Sequence, residues 1–249
     1  MERPKILHEA MRYAVLLGGK RIRPILTLAA CEAVGGKEKE AIAAACAIEL
    51  IHSYSLIHDD LPCMDDDDTR RGMPSCHKKF GETTALLAGD ALLTLAFRIL
   101  ADSSSKNHKN QIQVARWIAD AAGSLGMIGG QVVDCQAQGS EIDIPTIDYI
   151  NTHKTGSLIA VACRTGAILG GGSKKQVEFL YGYGKCVGLL FQIVDDILDS
   201  EGYAKLVGIP EARQEAGKLN RRAKETLKIF GKKGEPLERM ADFLLQRTA

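Results

Sequence analysis

The chain has 249 residues and a mass of 26.9 kDa, with 45% apolar and 25% charged residues, enough to bury one sizeable core. Its 32 basic and 31 acidic residues leave a net charge of +1, which excludes a global electrostatic pull toward nucleic acid or a membrane surface. Seven cysteines, an odd number with no Cys-x-x-Cys pair, argue against a disulfide framework or a zinc site and point to a reducing, cytoplasmic compartment. No unbroken apolar run approaches the length of about 18 residues that reads as a membrane span. Charges at Glu2, Arg3, Lys5, Glu9, Arg12 and Lys20 argue against a signal peptide.

Ala, Leu, Ile, Glu, Lys and Gln fill long segments, and alternating β-branched runs are missing, so an all-α architecture is expected, as a single domain over residues 1–249. A first helix covers about residues 5–17 and stops at Gly18-Gly19. Lys20, Arg21 and Arg23 follow, with Pro24 in the first turn of the next helix. They make either a basic surface turn or a phosphate site, since a helix start adds free N–H groups to the cations. After Gly35-Gly36 a helix runs over residues 38–58, where His52 and Asp59 share a face. His52 is there either a core residue or a ligand contact. Pro62 ends or distorts this helix and lets Asp65 return toward Asp59. Residues 72–81 read as a loop and 83–101 as a helix carrying Asp90. Ser103–Asn110 reads as a polar linker, and residues 111–138 as helical with a kink or close contact at Gly123, Gly126, Gly129 and Gly130. Pro145 opens the helix bearing His153-Lys154-Thr155-Gly156, and Gly170-Gly171-Gly172 closes it. Helices over 174–199, 209–230 and 235–247 finish the chain.

Two aspartate motifs carry the chemistry. Asp59, Asp60, Asp65, Asp66, Asp67 and Asp68 fall within ten residues, followed by Arg70 and Arg71. Two carboxylates about 4 Å apart repel by roughly 4 kcal/mol at an effective dielectric near 20, so such a cluster is solvated, protonated or neutralised by cations. The second motif, Gln192 with Asp195, Asp196 and Asp199, lies in an apolar helix, where an uncompensated carboxylate is costly. Oxygen donors without a His- or Cys-rich set favour Mg²⁺ over zinc, and Mg²⁺ usually brings a phosphate with it. Lys20, Arg23, Arg70, Arg71 and Lys154 supply the cations for one.

The chain resembles the trans-isoprenyl diphosphate synthases, and most closely their bacterial farnesyl type. The resemblance rests on Gly18-Gly19-Lys20-Arg21-Ile22-Arg23-Pro24, Asp59-Asp60-x-x-x-x-Asp65 with Arg70-Arg71-Gly72, Gly89-Asp90, Gly130-Gln131, His153-Lys154-Thr155-Gly156 and Phe191-Gln192-x-x-Asp195-Asp196-x-x-Asp199. It implies a single helical bundle of the isoprenoid synthase type around a central cavity, and a homodimer. In the implied reaction Asp59, Asp65 and Asp195, assisted by Asp60, Asp196 and Asp199, hold three Mg²⁺. With Arg70 and Lys154 these draw the diphosphate off an allylic substrate, dimethylallyl or geranyl diphosphate. Thr155 and Gln192 stabilise the resulting cation. Isopentenyl diphosphate, held by Lys20, Arg23, His52 and Arg71, attacks it, and pyrophosphate takes the proton. Tyr54, with Ser55, sets the pocket floor and favours a C15 product, farnesyl diphosphate; the alternative is a C20 geranylgeranyl synthase.

Two departures stand out: the lid lysines that follow the second motif in the family have no counterpart, and neither has a further N-terminal helix, so a longer protein is expected. The remaining alternatives are an HD-type phosphohydrolase built on His58-Asp59, which leaves the second motif unexplained, and a non-catalytic modulating subunit, which has no need of intact aspartates. Removing Asp195 should leave the metal-free fold as stable as before or more so, by relieving carboxylate repulsion.

Overall fold

The computed structural model of the protein describes residues 3–103 and 108–248. Among these it is all-α apart from one hairpin, as expected, and all seven cysteines are free. In chain order the helices are α1 (Lys5–Leu16), α2 (Ile22–Ala33) and α3 (Glu38–Asp59). Next come strands β1 (Thr69–Arg70) and β2 (Met73–Pro74), then α4 (Cys76–Phe80) and α5 (Glu82–Asp102). The second half holds α6 (His108–Ala122), α7 (Met127–Ala137), α8 (Ile144–Ile150), α9 (Ser157–Leu169) and α10 (Lys174–Asp199). It ends with α11 (Gly202–Val207), α12 (Ile209–Leu227) and α13 (Glu235–Gln246). A π-helical turn, Asn151–Gly156, joins α8 to α9, and a 3₁₀ stretch, Lys228–Gly234, joins α12 to α13.

Three differences from the sequence expectations have local causes. The loop expected over 72–81 contains the hairpin and α4, because Arg71 and Gly72 both adopt positive φ, 54° and 75°, as a tight two-residue turn requires. The single helical stretch over 111–138 is two helices, interrupted where the glycines cluster. Half of the linker expected over Ser103–Asn110, residues 104–107, lies outside the described residues, and from His108 onward it is already α6.

The described residues form two compact units. The first comprises α1, the start of α2, α3 from Ala43, the hairpin, α4 and α5; α1, α4 and α5 pack on one another. The second comprises α2 from Ile25, the start of α3, and α6–α13, organised around α10. Helix α10 starts with a capping box, Ser173 with Gln176, worth about 1 kcal/mol. It buries Val177, Leu180, Tyr183, Val187, Leu190 and Val194 at three- and four-residue spacings. Tyr183 is fully buried and donates its hydroxyl to the Leu237 carbonyl at 2.7 Å, fixing the approach to α13.

Helices α3, α5 and α10 are long and apolar enough on average to cross a membrane, although polar residues interrupt each of them. In α3 and α10 half or more of the apolar window is buried within the protein, against a third in α5.

Candidate active site

Both aspartate motifs sit at helix C-termini. Asp59 ends α3 and Asp199 ends α10, whose last turn holds Asp195, Asp196 and Asp199 and no basic residue. Carboxylates there oppose the helix dipole by about 0.3–1 kcal/mol each, so these ends attract cations.

In the first motif the chain turns back at Pro62 as expected: the Asp65 N–H donates to the Asp59 carbonyl at 2.9 Å. Asp65 is exposed and Asp59 half-buried. Asp60 is different, being almost fully buried and gripped by Arg70, which also reaches Asp67 at 2.9 Å. Burial pushes the Asp60 carboxyl above its ordinary range, and the Arg70 guanidinium pulls it back. Asp60 and Arg70 therefore act as a strut that shapes the acidic loop. Asp66, Asp68 and His77 bring their donor atoms within 4.8 Å of one another, and Asp68 pairs with Lys78 at 2.7 Å.

Arg71 donates to the Gly18 carbonyl, and its guanidinium lies where a side chain on Gly19 would stand, so the glycine pair and the hairpin meet. Arg21 pairs with Glu49 at 2.5 Å. Burial first, then Arg23, Arg71, Arg21 and Arg70, hold His52 well below its ordinary pKa. Burial likewise lowers Arg23 to about 10, so it remains charged at neutral pH. Of the residues expected to hold the second diphosphate, Arg23, His52 and Arg71 are gathered in this cluster and Lys20 is exposed. The sign of the pH effect follows. Folded His52 stays neutral while the unfolded chain protonates below about pH 6.5, so stability falls as pH drops, by about 1.4 kcal/mol per unit at most from this group. His52→Gln should flatten that slope in urea melts at pH 7.5 and 5.5. Equal slopes would remove His52 from the cluster.

In the second motif, Thr155 Oγ1 donates to Gln192 Oε1 at 3.0 Å, and Gln192 Nε2 donates to Asp196 Oδ1 at 3.0 Å. Asp196 also accepts from the Tyr203 N–H at 2.9 Å and from Asn151 at 3.5 Å. Burial raises the Asp196 carboxyl, and these donors oppose the rise. Asp196 thus clasps the short link from α10 to α11. Gly202 lies so close to this carboxylate, at φ 49°, that a side chain would not fit. Lys154 pairs with Asp134 at 2.5 Å, and Gly130 is what lets α7 approach the backbone at Lys154. Asp195 pairs with Arg247 at 2.5 Å, and Asp199 is exposed.

Each motif by itself offers donors that suit Mg²⁺: Asp59 and Asp65 in the first and Asp195 in the second are carboxylates with some exposure, and Asp195 already holds a cationic group. Asp60 and Asp196 are committed to internal partners and organise the motifs. Tyr54 is 5% exposed, packs edge-on against His58 at 5.6 Å, and its hydroxyl has no hydrogen-bond partner among the described residues. Burial raises it to about 12. Ser55 only donates to the His52 carbonyl, at 3.0 Å. A cavity of about 490 Å³ in the second unit, walled by Trp117, Arg164, Tyr181 and Leu189, includes none of the expected site residues. Sequence reasoning missed Asn151 and Arg247. Each acts through a partner distant in sequence, and no spacing signals that.

Known proteins are similar to this chain in sequence and in fold. Residues 4–212 match the polyprenyl synthetase family. The chain is 45% identical to a chloroplastic geranylgeranyl pyrophosphate synthase of Capsicum annuum, covering 99% of this chain and 73% of the relative. The alignment runs over 269 residues, more than the 249 present here, so the relative carries residues without a counterpart. Identity is also 45% to a chloroplastic heterodimeric geranylgeranyl pyrophosphate synthase large subunit of Arabidopsis thaliana, over 99% of this chain and 74% of that one. The crystal structure of an FPP/GFPP synthase from Zymomonas mobilis is similar at a TM-score of 0.94 and 40% identity, covering 98% of this chain and 90% of that chain.

Proposed function

The chain belongs to the polyprenyl synthetase family, and on that premise we propose a Mg²⁺-dependent prenyltransferase that joins isopentenyl diphosphate head to tail to allylic diphosphates, releasing pyrophosphate. The observation that carries this reading is the pair of aspartate motifs, each at a helix C-terminus and each kept in shape by internal partners. Bound Mg²⁺ would neutralise and polarise the allylic diphosphate so that it leaves. Asp59, Asp65 and Asp195 would hold it. Lys154, already beside a carboxylate, would meet the same diphosphate. The Thr155 and Gln192 oxygens would face the allylic cation as it forms. The guanidiniums around His52 would hold isopentenyl diphosphate, and departing pyrophosphate would accept the proton lost in coupling.

Product length has two readings. The relatives named geranylgeranyl pyrophosphate synthases favour C20, and we take that first. Tyr54, bulky and buried on the helix that carries Asp59, favours C15 farnesyl diphosphate. Exposed Leu86 and Leu87 on α5 suit self-association into a homodimer. The free cysteines suit a cytoplasmic setting.

Incubating the protein with labelled isopentenyl diphosphate, dimethylallyl diphosphate and Mg²⁺ tests all of this. A C20 product supports the first reading, C15 the second, and no coupling refutes both. An intact mass of 26.9 kDa would mean that the short link from Asp199 to α11 has no lid lysines, and prenyl alcohols from water attack should then accompany the coupled product.

A further inference from the structure

The acidic end of α10 takes a counter-charge from far along the chain. Arg247, just past α13, places Nη2 2.5 Å from Asp195 Oδ1 and donates to the Phe191 carbonyl at 2.9 Å. Its guanidinium stacks over the Phe191 ring, 4.2 Å from the centroid. The Arg247 side chain is 2% exposed, while Asp195 is 32% exposed. These two numbers separate a transient ion pair from a built one. A surface arginine that only occupied the carboxylate until a metal arrived would be solvated and free to swing away. Arg247 is instead enclosed by the chain and held by a carbonyl and by a ring face.

We propose that Arg247 is a positioning residue for the metal centre: it grips Asp195 through Oδ1 and fixes the orientation in which that carboxylate meets a divalent cation. The inference rests on the reading that Asp195 is a Mg²⁺ ligand, and it goes further by naming what aims the ligand. A planar guanidinium held by the Phe191 carbonyl and stacked on the Phe191 ring presents Nη2 to Oδ1 from one fixed direction, as a freely rotating ammonium group does not. Partners of this kind typically contribute 10–100-fold to metal affinity.

The test reads metal binding without turnover. Metal-free protein is titrated with Mg²⁺ at fixed pyrophosphate, and the rise in melting temperature gives the half-saturating Mg²⁺ concentration. Arg247→Met should raise that concentration about 10–100-fold, and Arg247→Lys should recover only part of the loss. In an Asp195→Asn background, Arg247→Met should add nothing further. An unchanged or lower half-saturating concentration in Arg247→Met overturns the proposal, because a mere competitor of the metal would give that result. So does an undiminished effect of Arg247→Met in the Asp195→Asn background. If Arg247→Met does not fold, the Arg247→Lys titration carries the decision alone: an unmoved half-saturation there overturns the proposal, and a rise supports it. A wild type indifferent to Mg²⁺ with pyrophosphate would overturn the metal reading itself, whereas a responsive wild type beside an unmoved Arg247→Met overturns only the role of Arg247.

Discussion

Asp195→Ala is expected to lower the coupling rate by about a thousand-fold, roughly 4 kcal/mol of barrier, because it deletes a ligand of the ion that makes the diphosphate a leaving group. Steady-state assay at saturating Mg²⁺ checks this, and near-normal turnover would sink the two-motif mechanism. The same substitution should also lower the melting temperature of the metal-free protein. The sequence alone argues the opposite, since one fewer carboxylate in an acidic turn relieves repulsion. The contact with Arg247 reverses the sign: alanine leaves an enclosed guanidinium unpaired, a loss of about 3–5 kcal/mol in comparable buried pairs, moderated by the partial exposure of Asp195. Asp195→Asn keeps an oxygen for Arg247 and should melt closer to wild type while remaining inactive.

Tyr54→Ala should lengthen the main product by one isoprene unit relative to wild type, with coupling retained. The tail is proposed to grow along the helix that carries Asp59, and Tyr54 is the large buried side chain little more than a turn before that residue. Truncating a buried aromatic costs about 3–5 kcal/mol, so the assay belongs well below the melting temperature. Tyr54→Phe is the control. It keeps the volume and removes a buried hydroxyl that has no partner among the described residues, so it should leave product length unchanged and cost little stability. If Tyr54→Ala still stops where wild type stops, the floor is built elsewhere and the C15 reading loses its support.

The helices were legible because apolar periodicity and glycine or proline punctuation act over a few residues. The expected bounds of α1, α3, α5, α10 and α13 lie within one residue of those observed. The turn at Pro62 was legible for the same reason: a missing N–H forces the chain to leave the helix. The hairpin was not, because its signal is two left-handed residues, one of them Arg71, and nothing in an arginine announces that backbone. In the site, composition revealed which carboxylates cluster but not which are available. Asp59 and Asp60 are neighbours in sequence. Yet only Asp60 is walled in against Arg70, and that division depends on a hairpin ten residues later. Arg247 was invisible for a similar reason, since its meaning comes from Phe191 and Asp195.

The π-helical turn between α8 and α9 is, in effect, one residue too many for a regular helix. Deleting a single position between Asn151 and Gly156 would let the two helices fuse with a better hydrogen-bond ladder, and by local energetics alone the chain would gain. It would also rotate everything upstream by about 100°, carrying Lys154 away from Asp134 or Thr155 away from Gln192. The wide turn is therefore a standing trade of regularity for aim. A deletion that regularised this turn is expected to trade the aim of Lys154 and Thr155 for local stability.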